Sequence, residues 1–189
     1  AMYQAKAAGR NTQRFFDPDM QAAVNARSNL EADLRQGLVR GELCVHYQPV
    51  VDHHARLIGV EALVRWRHPE RGMVSPGDFI PLAEQTGLIL PLGQFVLQTA
   101  CEQLQRWSGH EATRNLSIAV NVSARQFRQP GFVGGVLQTL ANCGANPTKL
   151  KLELTESLLL GDIEDTIERM GQLKREGVGF ALDDVGTGS

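Results

Sequence analysis

The stretch LKLELTESLLLGDIEDTIERMGQLKREGVGFALDD, residues 150–184, decides the fold of this chain. A short apolar run at 150–155 predicts a strand, residues 162–176 have the pattern of a helix, and residues 178–184 predict a second strand. Two strands joined through a helix become parallel neighbours, because a parallel pair needs a long crossover connection. The stretch therefore predicts one strand–helix–strand unit of a parallel α/β sheet.

The same alternation extends toward the N-terminus as far as residue 43. Predicted strands at 43–50, 57–66 and 116–122 come with predicted helices at 76–86, 88–107 and 132–142, and a turn at 52–54 joins the first two strands. Five strands after residue 40 fit either an open doubly wound sheet or a (β/α) barrel. No strand is followed by the glycine-rich phosphate fingerprint of dinucleotide-binding folds, which disfavours the doubly wound sheet.

Residues 1–40 have a different pattern. An alanine-rich helix is predicted at 1–8, one short strand at 11–16, and a long helix at 19–40 with Val24, Leu30, Leu34 and Leu38 at helical spacing. The long helix is either a linker between two domains or the first helix of a single domain. Because the chain begins within a helical pattern, we expect it to be a piece of a longer protein.

Composition and charge exclude several classes of protein. The 189 residues are 42% hydrophobic and 21% charged, with a formal net charge of −2 and a pI near 6.2, which is typical of a globular domain. The weak charge argues against binding of DNA or RNA polymers, which requires a basic surface. The three cysteines form no Cys-x-x-Cys pair, so we expect no disulfide framework, no zinc knuckle, and a reducing cytoplasmic compartment.

Oxygen-bearing side chains lie on four of the predicted strands. Glu61 lies within the second strand, Asn121 at the end of the third, Glu153 in the fourth, and Asp183 and Asp184 at the end of the fifth. The carboxyl ends of parallel strands converge on one face, where α/β proteins build their active sites. An all-oxygen set suits Mg²⁺ or Mn²⁺ better than zinc, and two such ions about 3.5–4 Å apart can promote a phosphoryl displacement. The alternative for any single acid is a solvated strand end or an ion pair with an arginine.

Arg65 and Gln48 are weaker candidates for the same site. Arg65 lies on the Glu61 face of its strand by period-two counting, where its guanidinium can hold a phosphate or pair with one of the acids. Gln48 is either a polar donor in the site or simply the end of its strand. The histidines share no spacing typical of metal binding or catalysis, and we expect all of them in turns and at the surface: His46, His53, His54, His68 and His110.

Six sequence blocks, in order, resemble one known family. The block GVEALVRWRH at 59–68 contains Glu61-Ala62-Leu63 and is similar to the signature of the EAL domain, the cyclic di-GMP phosphodiesterase module of bacterial signalling proteins. The other blocks are YQP at 47–49, PGDFIPLAE at 76–84, NVS at 121–123, ELTES at 153–157 and DDVGTG at 183–188. The resemblance covers residues 38–189. Separately, AMYQAKAAGRN at 1–11 resembles the closing helix and strand of a GGDEF domain.

The resemblance implies a fold and a division into domains. The fold is a TIM-like (β/α) barrel, incomplete in this chain, whose first strand runs antiparallel to the rest. Residues 1–16 are the C-terminal tail of a GGDEF domain, residues 17–40 a linker helix, and residues 41–189 the truncated EAL domain. The family's catalytic lysine, a further acidic ligand and a late glutamine fall beyond Ser189, so we expect the isolated chain to be inactive.

The resemblance also implies roles for individual residues. Four side chains are implied as ligands of a first Mg²⁺ or Mn²⁺: Glu61, Asn121, Glu153 and Asp183. Asp184 is implied as a ligand of a second ion. The catalytic set consists of the four acids: Glu61, Glu153, Asp183 and Asp184. The substrate pocket contains Gln48, Leu63 and Arg65. The resemblance implies that Glu156 stabilises the loop that follows the aspartate pair.

The implied reaction is metal-dependent hydrolysis of cyclic di-GMP, in which water opens one phosphodiester of the ring and gives linear pGpG. One alternative is a non-catalytic sensor that binds cyclic di-GMP or docks a partner protein, and another is a (β/α) hydrolase for a different phosphate ester. The resemblance further implies a homodimer formed through the EAL domain and an upstream sensor domain. We expect a location in the cytoplasm or at the cytoplasmic face of the inner membrane.

Overall fold

The computed structural model of the chain describes residues 18–155, 158 and 163–182. These residues form one sheet with helices packed on it, and a 3₁₀ turn at Pro147–Lys149 precedes the fifth strand. The helices and strands, in chain order, are α1 (Pro18–Arg40), β1 (Leu43–Val51), β2 (Leu57–His68), β3 (Gly72–Val74), α2 (Pro76–Thr86), α3 (Ile89–Ser108), β4 (Ser117–Val122), α4 (Ala124–Phe127), α5 (Phe132–Cys143), β5 (Leu150–Leu154), α6 (Ile163–Arg175) and β6 (Gly179–Leu182).

The strand order distinguishes between the two predicted arrangements. The sheet has the order β1-β2-β4-β5-β6, and the short strand β3 pairs with the end of β2. Apart from β3, each strand lies beside the next one along the chain, without the reversal of order that defines a doubly wound sheet. β1 is antiparallel to β2, whereas β2, β4, β5 and β6 are parallel to one another. The expected TIM-like barrel arrangement with an antiparallel first strand is confirmed.

One face of the sheet is apolar and carries the helices. Val60, Ile118, Val120, Leu150 and Leu152 are buried on this face and belong to one core cluster with residues of α3, α5 and α6. Side chains alternate between the faces of a strand, so the residues between these lie on the opposite face. That opposite face includes three of the candidate site residues: Glu61, Asn121 and Glu153.

A second core cluster joins α1 to the end of β2. Leu34 of α1 and Trp66 of β2 are completely buried and pack together with residues of α2 and α3. Trp66 Nε1 also donates a hydrogen bond to Glu42 Oε2 at 3.1 Å. The predicted helix at 19–40 is confirmed, and its C-terminal half is part of the core beside β2. Its role as a linker between domains stays a prediction.

His68 contradicts the expectation that the histidines lie in turns and at the surface. Its side chain is 8% exposed, and its Nε2 lies 3.3 Å from Asp33 Oδ2 of α1. Its Nδ1 accepts the backbone N–H groups of Glu70 and Arg71, each at 3.1 Å. The prediction was wrong because β2 extends two residues past its predicted end at Trp66, which carries His68 into the contact between β2 and α1.

The helices and strands that were predicted agree with the structure to within two residues at every end that the structure describes. α2 begins after the N-cap Ser75, has Pro76 in its first turn, and ends at Gly87, whose φ of 84° is the left-handed conformation that glycine permits. β3 and α4 were not predicted. They contain only three and four residues, which is too short for a hydrophobic period to be recognised.

Some predictions fall outside the described residues. The helix at 1–8, the strand at 11–16 and the last two residues of the strand at 178–184 belong to this group. The domain boundaries at 16 and 40 likewise stay predictions. Within the described ranges, no single helix has both the length and the apolar composition needed to cross a membrane, and only the bent pair α2 and α3, at an angle of 119°, meets that test when the two are taken together.

Candidate functional site

A direct contact between Glu61 and Asn121 forms the centre of the candidate site. The amide Nδ2 of Asn121, near the end of β4, donates a hydrogen bond to Glu61 Oε1 in the middle of β2 at 2.7 Å. β2 and β4 are parallel with Glu61 paired to Ala119, so Asn121 lies one pleat period further along on the same face. Because this bond uses the amide nitrogen, the amide oxygen Oδ1 is available as a ligand.

The sheet register extends this row of polar residues to both neighbouring strands. Gln48 of β1 is paired with Glu61 and is exposed, and Glu153 of β5 is paired with Asn121 and is half-buried. Residues that are paired across a sheet point to the same face. Gln48 does not end its strand, which continues to Val51. The structure therefore places four of the predicted site residues on one face of β1, β2, β4 and β5 in a staggered row, because Asn121 and Glu153 lie one pleat period beyond Gln48 and Glu61.

A cavity of about 330 Å³ lies beside this row. Glu61, Leu63 and Arg65 of β2 line it together with Asn121, and α2 and α3 supply an apolar wall that includes Ile80. A mostly apolar lining with a few polar groups is typical of a site for a small molecule. The predicted substrate-pocket residues Leu63 and Arg65 thus lie in the same cavity as the predicted metal ligands Glu61 and Asn121.

Arg65 lines the cavity without an acidic partner among the described residues. Its Nη1 donates to the carbonyl oxygen of Val64 at 2.8 Å, and none of the ion pairs in the described ranges includes it. The alternative of an ion pair with one of the predicted acids is therefore not observed for Glu61 or Glu153. The position in the cavity suits the other interpretation, in which the guanidinium binds an anionic group of a ligand.

A capping box holds the turn that follows Asn121. Ser123 Oγ accepts the N–H of Gln126 at 3.2 Å, and Gln126 Oε1 accepts the N–H of Ser123 at 3.1 Å. Both side chains are buried. In the same turn, Arg125 donates to the carbonyl oxygen of Glu84 and so connects α4 to the C-terminal end of α2.

Sequence reasoning missed two features of this region. Gln126 lines the cavity, and the pattern Ser-x-x-Gln directly after a strand is a recognised start signal for a helix, so a search for capping boxes would have found it. Glu84 of α2 also lines the cavity. It lies in the block at 76–84, but no spacing rule connects an acid in that helix with the strands.

The donor set fits a hard divalent cation as far as the structure describes it. Glu61, Asn121 and Glu153 supply two carboxylates and an amide oxygen, which are the ligands that Mg²⁺ and Mn²⁺ prefer. Within the described ranges, no group of three or more His, Cys, Asp or Glu side chains is close enough to hold an ion. Three residues of the predicted site lie outside the described residues: Glu156, Asp183 and Asp184.

Comparisons with known proteins agree with this geometry. A family model described as EAL domain matches residues 31–189, beginning in the half of α1 that packs into the second core. A relative from Pseudomonas aeruginosa, the bifunctional diguanylate cyclase/cyclic di-GMP phosphodiesterase MucR, is 45% identical over 191 residues, which cover 100% of this chain and 27% of the relative. An uncharacterized signaling protein of Caulobacter vibrioides is 44% identical over 189 residues, covering 100% of this chain and 23% of that protein.

Among solved structures, the PaMucR phosphodiesterase in complex with c-di-GMP matches this fold with a TM-score of 0.78 and 45% sequence identity. The match covers 85% of this chain and 65% of that one. This chain spans about a quarter of the length of the two curated relatives.

Proposed function

Because the chain belongs to the EAL domain family, we propose that it acts in metal-dependent hydrolysis of cyclic di-GMP to linear pGpG. The observation that carries the proposal is the 2.7 Å contact between Glu61 and Asn121 beside the cavity that Leu63 and Arg65 line. It joins two predicted metal ligands from separate strands within the same cavity as two predicted substrate contacts. The name of the relative that is 45% identical includes the same activity.

The cofactor in this proposal is a pair of Mg²⁺ or Mn²⁺ ions held by side-chain oxygens. Bound there, such ions lower the pKa of a water molecule and neutralise negative charge that develops on the phosphate. Glu61, Asn121 and Glu153 would hold the first ion from three neighbouring strands. The proposed ligand set is completed by Asp183 for the first ion and Asp184 for the second, and Glu156 would stabilise the loop after that pair.

Three residues of β1 and β2 would bind the dinucleotide. Arg65 can donate two parallel N–H groups to a phosphate, Leu63 offers an apolar contact to a base, and Gln48 offers an amide donor beside Glu61. In the reaction, the oxygen of water bonds to phosphorus and gives up a proton, the bond between phosphorus and the 3′ oxygen breaks, and the 3′ oxygen takes up a proton. The ring opens at this one phosphodiester, which gives pGpG.

The experiment that tests this function measures conversion of cyclic di-GMP by the complete gene product in Mg²⁺, with products separated by liquid chromatography. We expect formation of pGpG and a loss of at least about 100-fold in both Asn121→Ala and Glu61→Gln, since even the partners that orient metal ligands contribute about 10–100-fold. Asn121→Ala removes a predicted ligand, and Glu61→Gln removes the negative charge of another. Asn142→Ala makes the same change on the exposed surface of α5 and should retain activity. Full activity of Asn121→Ala would contradict the proposal.

The same assay separates the alternatives. Tight binding of cyclic di-GMP by calorimetry, with no pGpG formed, would favour the non-catalytic sensor. Cleavage of a generic phosphodiester without any cleavage of cyclic di-GMP would favour a hydrolase for another ester. The absence of both binding and cleavage would refute a role in cyclic di-GMP chemistry.

We also propose a homodimer formed through the EAL domain, a sensor domain elsewhere in the gene product, and a location in the cytoplasm or at the cytoplasmic face of the inner membrane. The support is the family membership, the much greater length of the relatives, and the free thiols Cys44, Cys101 and Cys143, which suit a reducing compartment. Light scattering over a range of concentrations tests the dimer, because a constant monomer mass would exclude it.

A further inference from the structure

Gly93 of α3 approaches Gln126 so closely that a Cβ atom at position 93 would force the Gln126 amide to move. A Cβ atom on Gly93 would overlap Gln126 Nε2 and lie 2.5 Å from its Cδ. Gly93 lies within a helix and does not have a positive φ, so its backbone conformation does not require glycine. Glycine in a helix interior costs about 1 kcal/mol relative to alanine. The close approach of Gln126 is therefore the physical reason for a glycine here.

The Gln126 side chain, which lies over Gly93, holds Ser123 through two hydrogen bonds, and the Gln126 backbone N–H makes a third. Gln126 Oε1 accepts from the Ser123 N–H at 3.1 Å and from Ser123 Oγ at 3.0 Å, while Ser123 Oγ accepts from the Gln126 N–H at 3.2 Å. Both residues are 8% exposed. Displacement of Gln126 would leave the buried N–H of Ser123 without its acceptor, which is costly away from water.

This turn begins two residues after Asn121, at a point where β4 is held on one side only. The register of β4 with β2 ends at Val120, whereas its register with β5 continues to Val122. Val120 and Val122 are buried, but Asn121 between them is exposed. Packing therefore fixes the strand on both sides of Asn121, and Ser123 is the first residue after the end of β4.

We propose that Gly93 and Gln126 are positioning residues that hold Asn121 in the geometry required to bind a divalent cation. The inference rests on the proposed function, in which Asn121 is a metal ligand. Gly93 acts through Gln126 by leaving space for its amide. Gln126 acts through Ser123 by fixing the turn at the end of β4.

The test measures Mn²⁺ binding by the complete gene product, using the electron paramagnetic resonance signal of free Mn²⁺. We expect Gly93→Ala and Gln126→Ala each to weaken Mn²⁺ binding by about 10-fold or more, which is typical for loss of a residue that orients a ligand. The matched control is Gly134→Ala in α5, where an added Cβ has no atom within 4 Å. This control should bind Mn²⁺ like the wild type.

The double variant decides whether Gly93 acts through Gln126. Gln126→Ala removes the three atoms nearest to a methyl group at position 93, so the double variant should bind Mn²⁺ as Gln126→Ala does. If Gly93→Ala alone fails to fold, a folded double variant supports the same link. Additive losses in the double variant would overturn it.

Further outcomes separate this inference from the function on which it rests. Wild-type affinity for Mn²⁺ in Gly93→Ala or Gln126→Ala would overturn the inference alone. No Mn²⁺ binding by the wild type, together with no hydrolysis of cyclic di-GMP, would overturn both. Unfolding curves for the same variants complete the test, because a merely structural role lowers stability without changing Mn²⁺ affinity in the folded protein, and that result would also overturn the inference.

Discussion

Gly59 of β2 lies two residues before Glu61 and leaves no room for a side chain. A Cβ atom there would lie 2.5 Å from Ser117 Oγ and 2.6 Å from the Ser117 carbonyl oxygen. That carbonyl belongs to the paired strand β4, which cannot move away without disturbing the register that brings Asn121 to Glu61. The small size of Gly59 is therefore part of what builds the site.

We expect Gly59→Ala to lower the free energy of unfolding by about 1–3 kcal/mol, as overpacking of a close contact does. Urea denaturation measures this change. The matched control is Gly109→Ala at the end of α3, where φ is −81° and no atom lies within 4 Å of an added Cβ. It should change stability by less than about 0.5 kcal/mol. Equal stabilities of the two variants would contradict the inference that position 59 has no room for a side chain beside Ser117.

Cys101 of α3 carries a buried thiol whose pKa is strongly raised. Burial raises the pKa of its thiol to about 12, and the neighbouring Cys143 and Glu102 act in the same direction. An unfolded cysteine titrates near about 8.5. The stability that this thiol contributes is therefore fully present below about pH 8.5 and is lost as the pH rises toward 12, because the unfolded chain releases its proton first.

We accordingly expect the free energy of unfolding to fall between about pH 8.5 and 12. Cys101→Ala should fall less steeply over this interval, since it lacks the thiol that titrates differently in the two states. Urea denaturation at several pH values measures both slopes. Identical slopes for the wild type and the variant would rule out this thiol as a cause.

At the scale of single elements, α1 is joined to the strand that carries Glu61. Leu34 is completely buried against Trp66 of β2 in the second core, and Asp33 lies beside both His68 and Arg71. Most of the N-terminal half of the same helix is exposed. The helix is therefore part of the second core only through its C-terminal half.

Leu34→Ala should lower the free energy of unfolding by about 2–5 kcal/mol, because it leaves a cavity in a packed core. Val39→Ala in the same helix is a suitable control, since Val39 is 87% exposed, and it should change stability by less than about 0.5 kcal/mol. Thermal and urea unfolding compare the two. If α1 did not contribute to the second core, both variants would show the same small effect.

At the scale of the whole molecule, the proposed cations connect strands that are distant in sequence. Ligands from β2, β4 and β5 would be joined by one ion, in addition to the hydrogen bonds of the sheet. A ligand that binds only the folded state raises its stability, by about 2.7 kcal/mol at one hundred times its dissociation constant.

We therefore expect Mn²⁺ to raise the melting temperature of the complete gene product, with a smaller rise in Asn121→Ala. Calorimetric melting at increasing Mn²⁺ concentration measures the effect. The Asn142→Ala variant on the surface of α5 should respond like the wild type. A melting temperature that does not depend on Mn²⁺ in the wild type would speak against the metal site.

The amino-acid sequence by itself determined the order and type of the main elements. The helix α2 was predicted at 76–86, the bounds that the structure has, and the alternation of strands and helices predicts a parallel sheet because crossover connections are long. The candidate acids and Asn121 were also recognisable, since side-chain oxygens near the ends of successive strands converge on one face. These are local signals, and each is contained within one element and its ends.

Only the tertiary structure decided which side chains meet. The bond between Asn121 and Glu61 depends on the register of two strands whose residues lie 60 positions apart, and the burial of His68 depends on where β2 ends against α1. The fit of Gln126 over Gly93 depends on the distance between two helices. Such contacts arise from packing between separate elements, and the pattern within any one element does not contain them.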